Sequence, residues 1–174
     1  MGGSSYHAPA LEYPPGTMVA YLGLGSNLGD RSAEIRLAVQ ALAAVGRVAA
    51  TSALYETEPE GGVPEPRYVN AAVRLETELS ARVLLASCLA IERKRGRIRP
   101  ADKRKVPRLI DIDLLLYGTE VCDEPGLVIP HPALLLRPFV RIPLADVALP
   151  GLRHPRSGEV LDCAEPDATV RRYC

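Results

Sequence analysis

The chain has 174 residues, of which 47% are hydrophobic and 24% charged, and its 21 basic and 21 acidic side chains leave no net charge at pH 7. This composition is typical of a soluble globular domain that is long enough to bury a core. No apolar run approaches the roughly 18 residues that a membrane-spanning helix needs, and the balanced charge argues against a protein whose main partner is nucleic acid or a membrane.

The first residues and the cysteines carry the expectation about location. Residues 1–17 contain Gly, Ser, Pro and Tyr but neither the cationic nor the apolar region of a secretion signal. We therefore predict a flexible N-terminal extension at residues 1–17 and one domain at residues 18–174. Four cysteines stand far apart without a Cys-x-x-Cys pair, which predicts reduced thiols in a cytoplasmic protein; they are Cys88, Cys122, Cys163 and Cys174.

The first half of the chain alternates between strand and helix patterns. A strand is predicted at residues 19–26, where glycines permit close backbone approach. A helix follows at residues 32–45 and ends at Gly46, and a second strand covers residues 47–55. The next segment, residues 56–67, holds three prolines and two glycines, and long loops of this kind inside compact domains are often functional.

The middle of the chain completes a recognisable order of elements. A third strand is predicted at residues 68–76, and a helix begins after Ser80 and runs to about Arg95. A fourth strand lies within residues 105–117, rich in branched apolar residues and entered through a proline. The order βαββαβ predicts an α+β, ferredoxin-like fold with its helices on one face of the sheet.

A C-terminal extension follows this unit. It starts with a proline-rich connection at residues 128–132 and continues with a short helical piece near residues 133–136. An apolar stretch then runs through Val147.

The fourth strand carries two carboxylates in an Asp-x-Asp pattern. Strand side chains alternate between faces, so Asp111 and Asp113 point one way while Ile110, Ile112 and Leu114 point the other. Carboxylates about 7 Å apart on one face repel each other unless a cation lies between them. Mg²⁺ suits such a pair, because it uses one or two carboxylates and completes its shell with water and phosphates. The alternative is a solvated strand face with two unrelated aspartates.

A basic segment leads directly into that strand. Residues 93–108 hold nine cations and one acid, so positive charge is concentrated here although the whole chain is neutral. Cations beside a carboxylate pair fit a polyphosphate bound as its metal complex. A solvated helix end is one alternative, because cations near a helix C-terminus also complement its dipole. A nucleic-acid patch is the other, and the chain's seven Tyr and single Phe make it the weaker one.

Four blocks of residues together resemble the 6-hydroxymethyl-7,8-dihydropterin pyrophosphokinase family. They occur in that family's order and spacing between about Val19 and Pro150. The blocks are residues 21–31 (Tyr-Leu-Gly-Leu-Gly-Ser-Asn-Leu-Gly-Asp-Arg), 55–59 (Tyr-Glu-Thr-Glu-Pro) with 68–73 (Tyr-Val-Asn-Ala-Ala-Val), 107–113 (Pro-Arg-Leu-Ile-Asp-Ile-Asp), and 129–132 (Ile-Pro-His-Pro) with 137–139 (Arg-Pro-Phe). The resemblance implies a ferredoxin-like α+β fold and transfer of pyrophosphate from ATP to a pterin alcohol in folate biosynthesis.

The resemblance also implies roles at the nucleotide. Asp111 and Asp113 match the pair that holds two Mg²⁺ ions between ATP and the pterin hydroxyl. Arg97 and Arg99 match catalytic arginines of a mobile loop that closes over the nucleotide, and a guanidinium can grip phosphate in a bidentate manner. The resemblance implies further ATP contacts from Glu92, Arg108, His131 and Arg137. Taken alone, Glu92 would be a solvated helix residue and His131 a histidine in a turn.

The pterin pocket is implied by a second set of positions. A flat heteroaromatic ring needs stacking partners on its faces and amide-type groups in its plane. Phe139 and Tyr68 match the two stacking faces, and Asn70 and Thr57 match the positions that recognise the ring edge. Glu58 and Pro59 belong to the same pocket. Without the motif, Phe139 and Tyr68 would be core aromatics.

The chain departs from the family pattern at two places. Residues 104–107 are Arg-Lys-Val-Pro where an aromatic and Gly-Pro are usual, which stiffens the expected hinge. Glu60 stands where many relatives have an apolar residue. Two alternatives remain: an inactive ferredoxin-like binding module, and a Mg-dependent phosphotransferase acting on another alcohol. We expect small-molecule substrates only, no nucleic-acid or membrane partner, and a monomer.

Overall fold

The structure is a computed structural model that describes residues 13–59, 66–97 and 106–173. Within these ranges the chain forms eight strands and three helices. The strands are β1 (Met18–Ser26), β2 (Arg47–Thr51), β3 (Tyr55–Thr57), β4 (Tyr68–Thr77), β5 (Asp111–Tyr117), β6 (Cys122–Glu124), β7 (Leu127–Ile129) and β8 (Val170–Arg172). The helices are α1 (Arg31–Leu42), α2 (Ala81–Lys94) and α3 (Pro138–Val147).

Six of the strands form one antiparallel sheet: five follow the order β5-β1-β4-β3-β8, and β2 also pairs with β4. The strand β4 has 10 residues, so it is long enough to pair with β2 at one end and with β3 at the other. The remaining strands, β6 and β7, form a separate hairpin. An antiparallel sheet with three helices agrees with the predicted combination of α and β structure.

The predicted single strand at residues 47–55 is two strands, and Ser52 explains the break. The Ser52 hydroxyl accepts a hydrogen bond from the Ala72 N–H at 2.8 Å and donates one to the Ala53 carbonyl at 2.6 Å. A side chain that takes over backbone hydrogen bonds competes with the strand ladder. Pairing with β4 therefore stops at Thr51 and resumes at Tyr55.

One face of the sheet packs against α1 and α2. Alternate residues of β1, β4 and β5 point toward it, and the first core contains Leu22, Val73 and Ile112 from the strands with Ile35 and Leu84 from the helices. The helix α1 ends at Leu42, three residues before the predicted end, because residues 43–45 make i→i−3 hydrogen bonds that tighten the last turn.

The opposite face of the sheet packs against α3, which corrects the prediction that all helices lie on one face. A second core lies there and contains Tyr21, Ala72, Leu116, Leu144 and Val147. The helical piece predicted at residues 133–136 is instead a run of turns. The helix begins at Pro138, where a proline is tolerated because the first N–H groups of a helix have no partner within it.

The strand β5 begins at Asp111, later than the predicted segment, and contains a bulge. Ile110, Ile112 and Leu114 are at most 4% exposed and belong to the first core, so the predicted alternation of faces holds here. The pairing with β1 shifts by one residue at Leu115. A bulge of this kind re-aims the residues around it, and Leu115 and Leu116 both join the second core.

An extension is predicted at each end of the chain. Residues 1–12 are outside the described ranges, and residues 13–17 form a turn in which the Thr17 N–H donates to the Pro14 carbonyl at 3.0 Å. The C-terminal region returns to the sheet and ends in β8, which pairs with β3. In the described part of the chain, none of the helices has the length and apolar character to cross a bilayer.

Candidate active site

A cleft opens on the α3 face of the sheet, beside the second core. Here β1 presents Gly23 and Gly25, whereas β4 and β5 present polar side chains. A Cβ atom on Gly25 would lie 3.2 Å from Asn70 Oδ1, so glycine leaves this amide room. The residues of the predicted site that line the cleft are Thr57, Glu58, Pro59, Tyr68, Asn70, Arg108, Asp111, Asp113, Arg137 and Phe139.

The two aspartates lie on the cleft side of β5. Burial, and then the neighbouring carboxylate of Asp111, raise the pKa of Asp113 to about 6, although the nearby arginines act in the opposite direction. Asp111 is ion-paired with Arg97 through Oδ1 and with Arg108 through Oδ2, the latter at 2.7 Å. The pair therefore combines one carboxylate neutralised by cations with one that is costly to ionise.

A buried glutamate of α2 holds Arg97 beside this pair. Glu92 is 1% exposed, and its Oε1 accepts hydrogen bonds from the Ile112 N–H at 2.8 Å and from Arg97 Nη1 at 2.5 Å. The Arg97 N–H also donates to the Glu92 carbonyl at 3.1 Å. Glu92 thus joins the end of α2 to β5 and fixes the guanidinium next to Asp111.

Arg108 is positioned by Asn27, which follows β1. The Arg108 N–H donates to Asn27 Oδ1 at 2.8 Å, and the Asn27 N–H donates to the Arg108 carbonyl at 3.1 Å. Asn27 is 1% exposed. This reciprocal contact holds Arg108, three residues before β5, at the end of β1, where its side chain lines the cleft.

The cleft also holds aromatic and amide groups from β3, β4 and α3. Asn70 Nδ2 donates to Thr57 Oγ1 at 2.9 Å, and both side chains are buried. Tyr68 of β4 and Phe139 of α3 both line the cleft. A guanidinium already lies against each ring, Arg108 at 5.4 Å from the Tyr68 centroid and Arg137 at 5.6 Å from that of Phe139.

His131 is anchored on the bulge of β5. Its N–H donates to the Leu115 carbonyl at 2.9 Å, and its Nδ1 accepts from the Ala133 N–H at 3.2 Å. The accepting Nδ1 leaves the ring proton on Nε2. Burial and the charge of Arg137 lower the pKa of His131, so the ring is neutral at pH 7.

The sequence matches the family described as 7,8-dihydro-6-hydroxymethylpterin-pyrophosphokinase (HPPK) over residues 21–149. A 2-amino-4-hydroxy-6-hydroxymethyldihydropteridine pyrophosphokinase of Methylorubrum extorquens is 49% identical over 132 residues, which are 74% of this chain and 82% of that protein. A protein of the same name from Pseudomonas aeruginosa is 42% identical over 137 residues, 78% of this chain and 83% of the relative. The chain belongs to the HPPK family.

Solved structures with HPPK in their titles share this fold. A crystal structure of HPPK-DHPS in complex with substrates superposes with a TM-score of 0.65 at 14% identity, over 83% of this chain and 42% of the other. Plasmodium falciparum HPPK-DHPS with pteroate gives a TM-score of 0.65 at 17% identity, over 84% and 41%. This chain therefore spans less than half the length of those solved chains, and at this identity the likeness concerns the fold alone.

Within this HPPK-family chain, three residues of the predicted site do not line the cleft. Glu92 and Arg97 lie behind Asp111, and His131 lies beside it on the bulge. Arg99 falls outside the described residues, as do Glu60, residues 98–105 and therefore most of the predicted mobile loop.

Sequence reasoning also left out residues that shape the site. Gly23, Gly25, Leu115 and Val140 line the cleft, and Asn27 positions Arg108. The Gly-x-Gly-Ser-Asn run was a usable signal for the glycines and for Asn27. Val140 and Leu115 carried no signal, because one belongs to an unpredicted helix and the other to a bulge.

Proposed function

We infer that this chain transfers the pyrophosphoryl group of ATP to the hydroxyl of 6-hydroxymethyl-7,8-dihydropterin, a step of folate biosynthesis, and that the cleft is where the transfer takes place. Its relatives carry the name of this pyrophosphokinase. The observation that carries the assignment of the cleft is its lining: a carboxylate pair on β5 and two aromatic rings with a buried amide share one cleft, and Arg108 contacts both Asp111 and the Tyr68 ring.

The arginines at the cleft suit the triphosphate of ATP. Arg108 and Arg137 line the cleft, and Arg97 lies next to Asp111. We assign these three to the phosphates together with His131 and, from the family resemblance, Arg99. A guanidinium stays charged throughout the reaction and offers two parallel donors to phosphate oxygens. Glu92 acts from behind, since its buried carboxylate orients Arg97.

The carboxylate pair suits Mg²⁺, and we assign Asp111 and Asp113 as its protein ligands, with two ions expected. Among the described residues there is no group of three or more His, Cys, Asp or Glu that could enclose an ion. Two carboxylates fit Mg²⁺ because it takes its other ligands from water and substrate phosphates. The raised pKa of Asp113 fits as well, because burial and then the Asp111 carboxylate disfavour its charged form, and a bound cation would favour that form.

The aromatic and amide groups of the cleft suit the pterin, and we call them the pterin pocket. Tyr68 and Phe139 would stack on the two ring faces, while Asn70 and Thr57 would bind the ring edge, with Glu58 and Pro59 at the rim. The Asn70–Thr57 hydrogen bond orients the amide, so its oxygen remains available as an acceptor for ring N–H groups. The alcohol substituent then points along the cleft toward Asp111 and Asp113.

In the transfer, the pterin hydroxyl oxygen forms a bond to the β-phosphorus of ATP, and the hydroxyl proton is released to solvent. The bond from that phosphorus to the oxygen bridging it to the α-phosphate breaks, and AMP leaves. Asp111 and Asp113 would hold Mg²⁺, which would supply neutralisation of the phosphate charge. The chain contributes positioning: arginines hold the phosphates, the rings hold the pterin, and the walls exclude water.

The finer features of the fold and of the working state are also proposals. The strand order β5-β1-β4, with β2 and β3 next, and α1 and α2 on one face support a ferredoxin-like core. We propose a monomer acting in the cytoplasm, and sedimentation velocity with and without substrates tests the oligomeric state.

The direct test of function is AMP formation from ATP that depends on the pterin alcohol. An inactive binding module would release no AMP, and an enzyme for another alcohol would ignore the pterin. AMP release at the same rate with and without 6-hydroxymethyl-7,8-dihydropterin would contradict the assignment.

Replacing Phe139 with alanine is expected to weaken pterin binding by roughly 1–3 kcal/mol, judged from stacking on a flat base, and to leave nucleotide binding nearly intact. Isothermal titration with each ligand measures both affinities. Leu136 is 79% exposed and lies three residues earlier, so Leu136→Ala serves as a control with no expected effect. Equal losses for both ligands in the Phe139 variant would mean that the ring is a core residue.

The pKa of His131 is expected to rise when a non-hydrolysable ATP analogue binds. In the described structure, burial and Arg137 keep this pKa low, and added phosphate charge favours the protonated ring. NMR titration of the histidine rings measures the change. His154 is the internal control, because its pKa is lowered mainly by burial in a separate turn and should not respond. An unresponsive His131 would remove it from the nucleotide site.

A further inference from the structure

The C-terminal segment lies beyond the part of the chain that matches the family, which ends at residue 149. Its last strand nevertheless reaches β3, which carries Thr57 of the proposed pterin pocket. β8 pairs with β3, with Val170 opposite Thr57 and Arg172 opposite Tyr55. The strand β3 is three residues long, so it depends on neighbours at both edges for its position.

Tyr173 follows β8 and makes two contacts with the rest of the domain. Its N–H donates to the Leu54 carbonyl at 2.8 Å, just before β3. Its ring lies against the guanidinium of Arg31, 5.4 Å from the ring centroid, and packs at the edge of the first core. The ring thus covers one side of an arginine at the start of α1.

Arg31 in turn joins the two ends of the segment between β3 and β4. Its Nη1 donates to Glu56 Oε1 at 2.8 Å and to the Arg67 carbonyl at 2.9 Å. The Arg67 guanidinium forms ion pairs with Glu56 at 3.3 Å and with Glu58 at 2.5 Å. Glu56 directly precedes Thr57, and Arg67 directly precedes Tyr68; both Thr57 and Tyr68 belong to the proposed pterin pocket.

We propose that Tyr173 is a positioning residue for the pterin substrate: through Arg31 it holds Thr57 and Tyr68 at the spacing that the pterin requires. This inference rests on the function proposed above. The strand β5 with Asp111 and Asp113 is separated from β3 by β1 and β4. Loss of the Tyr173 ring therefore acts first on recognition of the pterin, and the carboxylate pair on β5 keeps its geometry.

The test is steady-state kinetics of AMP formation with Tyr173→Leu, which retains apolar packing but loses the ring face. We expect the KM for the pterin to rise about 3- to 10-fold, the loss that corresponds to one cation–π contact, with kcat and the KM for ATP unchanged. Tyr173→Phe should restore the wild-type KM, because the ring and not the hydroxyl covers Arg31. Arg171→Ala is the matched control, since this exposed side chain is on the same strand.

A second variant keeps the test independent of any loss of stability. Arg31→Gln removes the other half of the contact and should raise the pterin KM at least as much. Adding Tyr173→Leu to it should cause no further rise. An unchanged pterin KM in Tyr173→Leu, or a lower kcat and melting temperature at constant KM, overturns the positioning role. Wild-type chain that forms no pterin-dependent AMP would instead overturn the proposed function.

Discussion

Replacing Asp111 or Asp113 with alanine is expected to lower turnover by about 10³-fold or more, because each change removes a metal ligand where charge neutralisation supplies most of the catalysis. The two variants should differ in stability. Asp113→Ala removes a carboxylate whose pKa is raised by burial, so the fold should lose little. Asp111→Ala leaves Arg97 and Arg108 without their shared partner, which destabilises the folded chain.

The measurement is pterin-dependent AMP formation across a Mg²⁺ titration, with circular dichroism to establish that each variant is folded. Asp113→Asn keeps the shape and loses the charge, so it should be nearly as inactive as the alanine variant. Asp123→Ala is the matched control, because this exposed aspartate of β6 pairs with Arg156 away from the cleft. Near-normal turnover of either alanine variant at saturating Mg²⁺ would remove the pair from the active site.

Replacing Glu92 with leucine is expected to destabilise the chain by about 3–5 kcal/mol, the cost of breaking a buried ion pair by removing one partner. The Ile112 N–H would lose its acceptor, and Arg97, whose side chain is 13% exposed, would lose one of its two carboxylate partners. Urea denaturation of each variant at neutral pH measures the change in the free energy of unfolding.

Two further variants separate the parts of this effect. Glu92→Gln keeps an acceptor for the Ile112 N–H but loses the charge, so its loss of stability should be smaller. Glu34→Gln disrupts the ion pair with Arg95, which joins α1 to the end of α2 and is more exposed, at 16% and 22%. A partly exposed pair contributes about 1 kcal/mol or less. Equal effects at Glu34 and Glu92 would contradict the importance given to burial.

Local pattern was enough to predict β1, β4, β5 and the first two helices, whereas β6, β7 and β8 were not predicted. The alternation along residues 110–114 predicted which side of β5 enters the core, because a strand with one apolar face has a single favourable orientation. The same alternation put Asp111 and Asp113 on one side before any neighbour was known. Their roles as metal ligands, like those of the arginines and the aromatic pair, stay predictions that the experiments above test.

The errors occurred where distant contacts override local preference. The helix α3 was missed because Pro143, inside it, argues against a helix, yet burial of Leu144 and Val147 in the second core stabilises it. The second strand was predicted as continuous because nothing near Ser52 in the sequence reveals its hydrogen bonds to Ala72, twenty residues away.

Residue types and their spacing were enough to indicate the chemistry that the chain can offer: a carboxylate pair on one strand face, a concentrated set of arginines, and a few aromatic and amide side chains. They were enough because side-chain type and strand periodicity are local properties. The folded chain was needed to reveal that Glu92 is buried near Asp111, and that β8 pairs with β3 across more than one hundred residues of chain. Both depend on which surfaces pack together, and the free energy of that packing comes from residues far apart in the sequence.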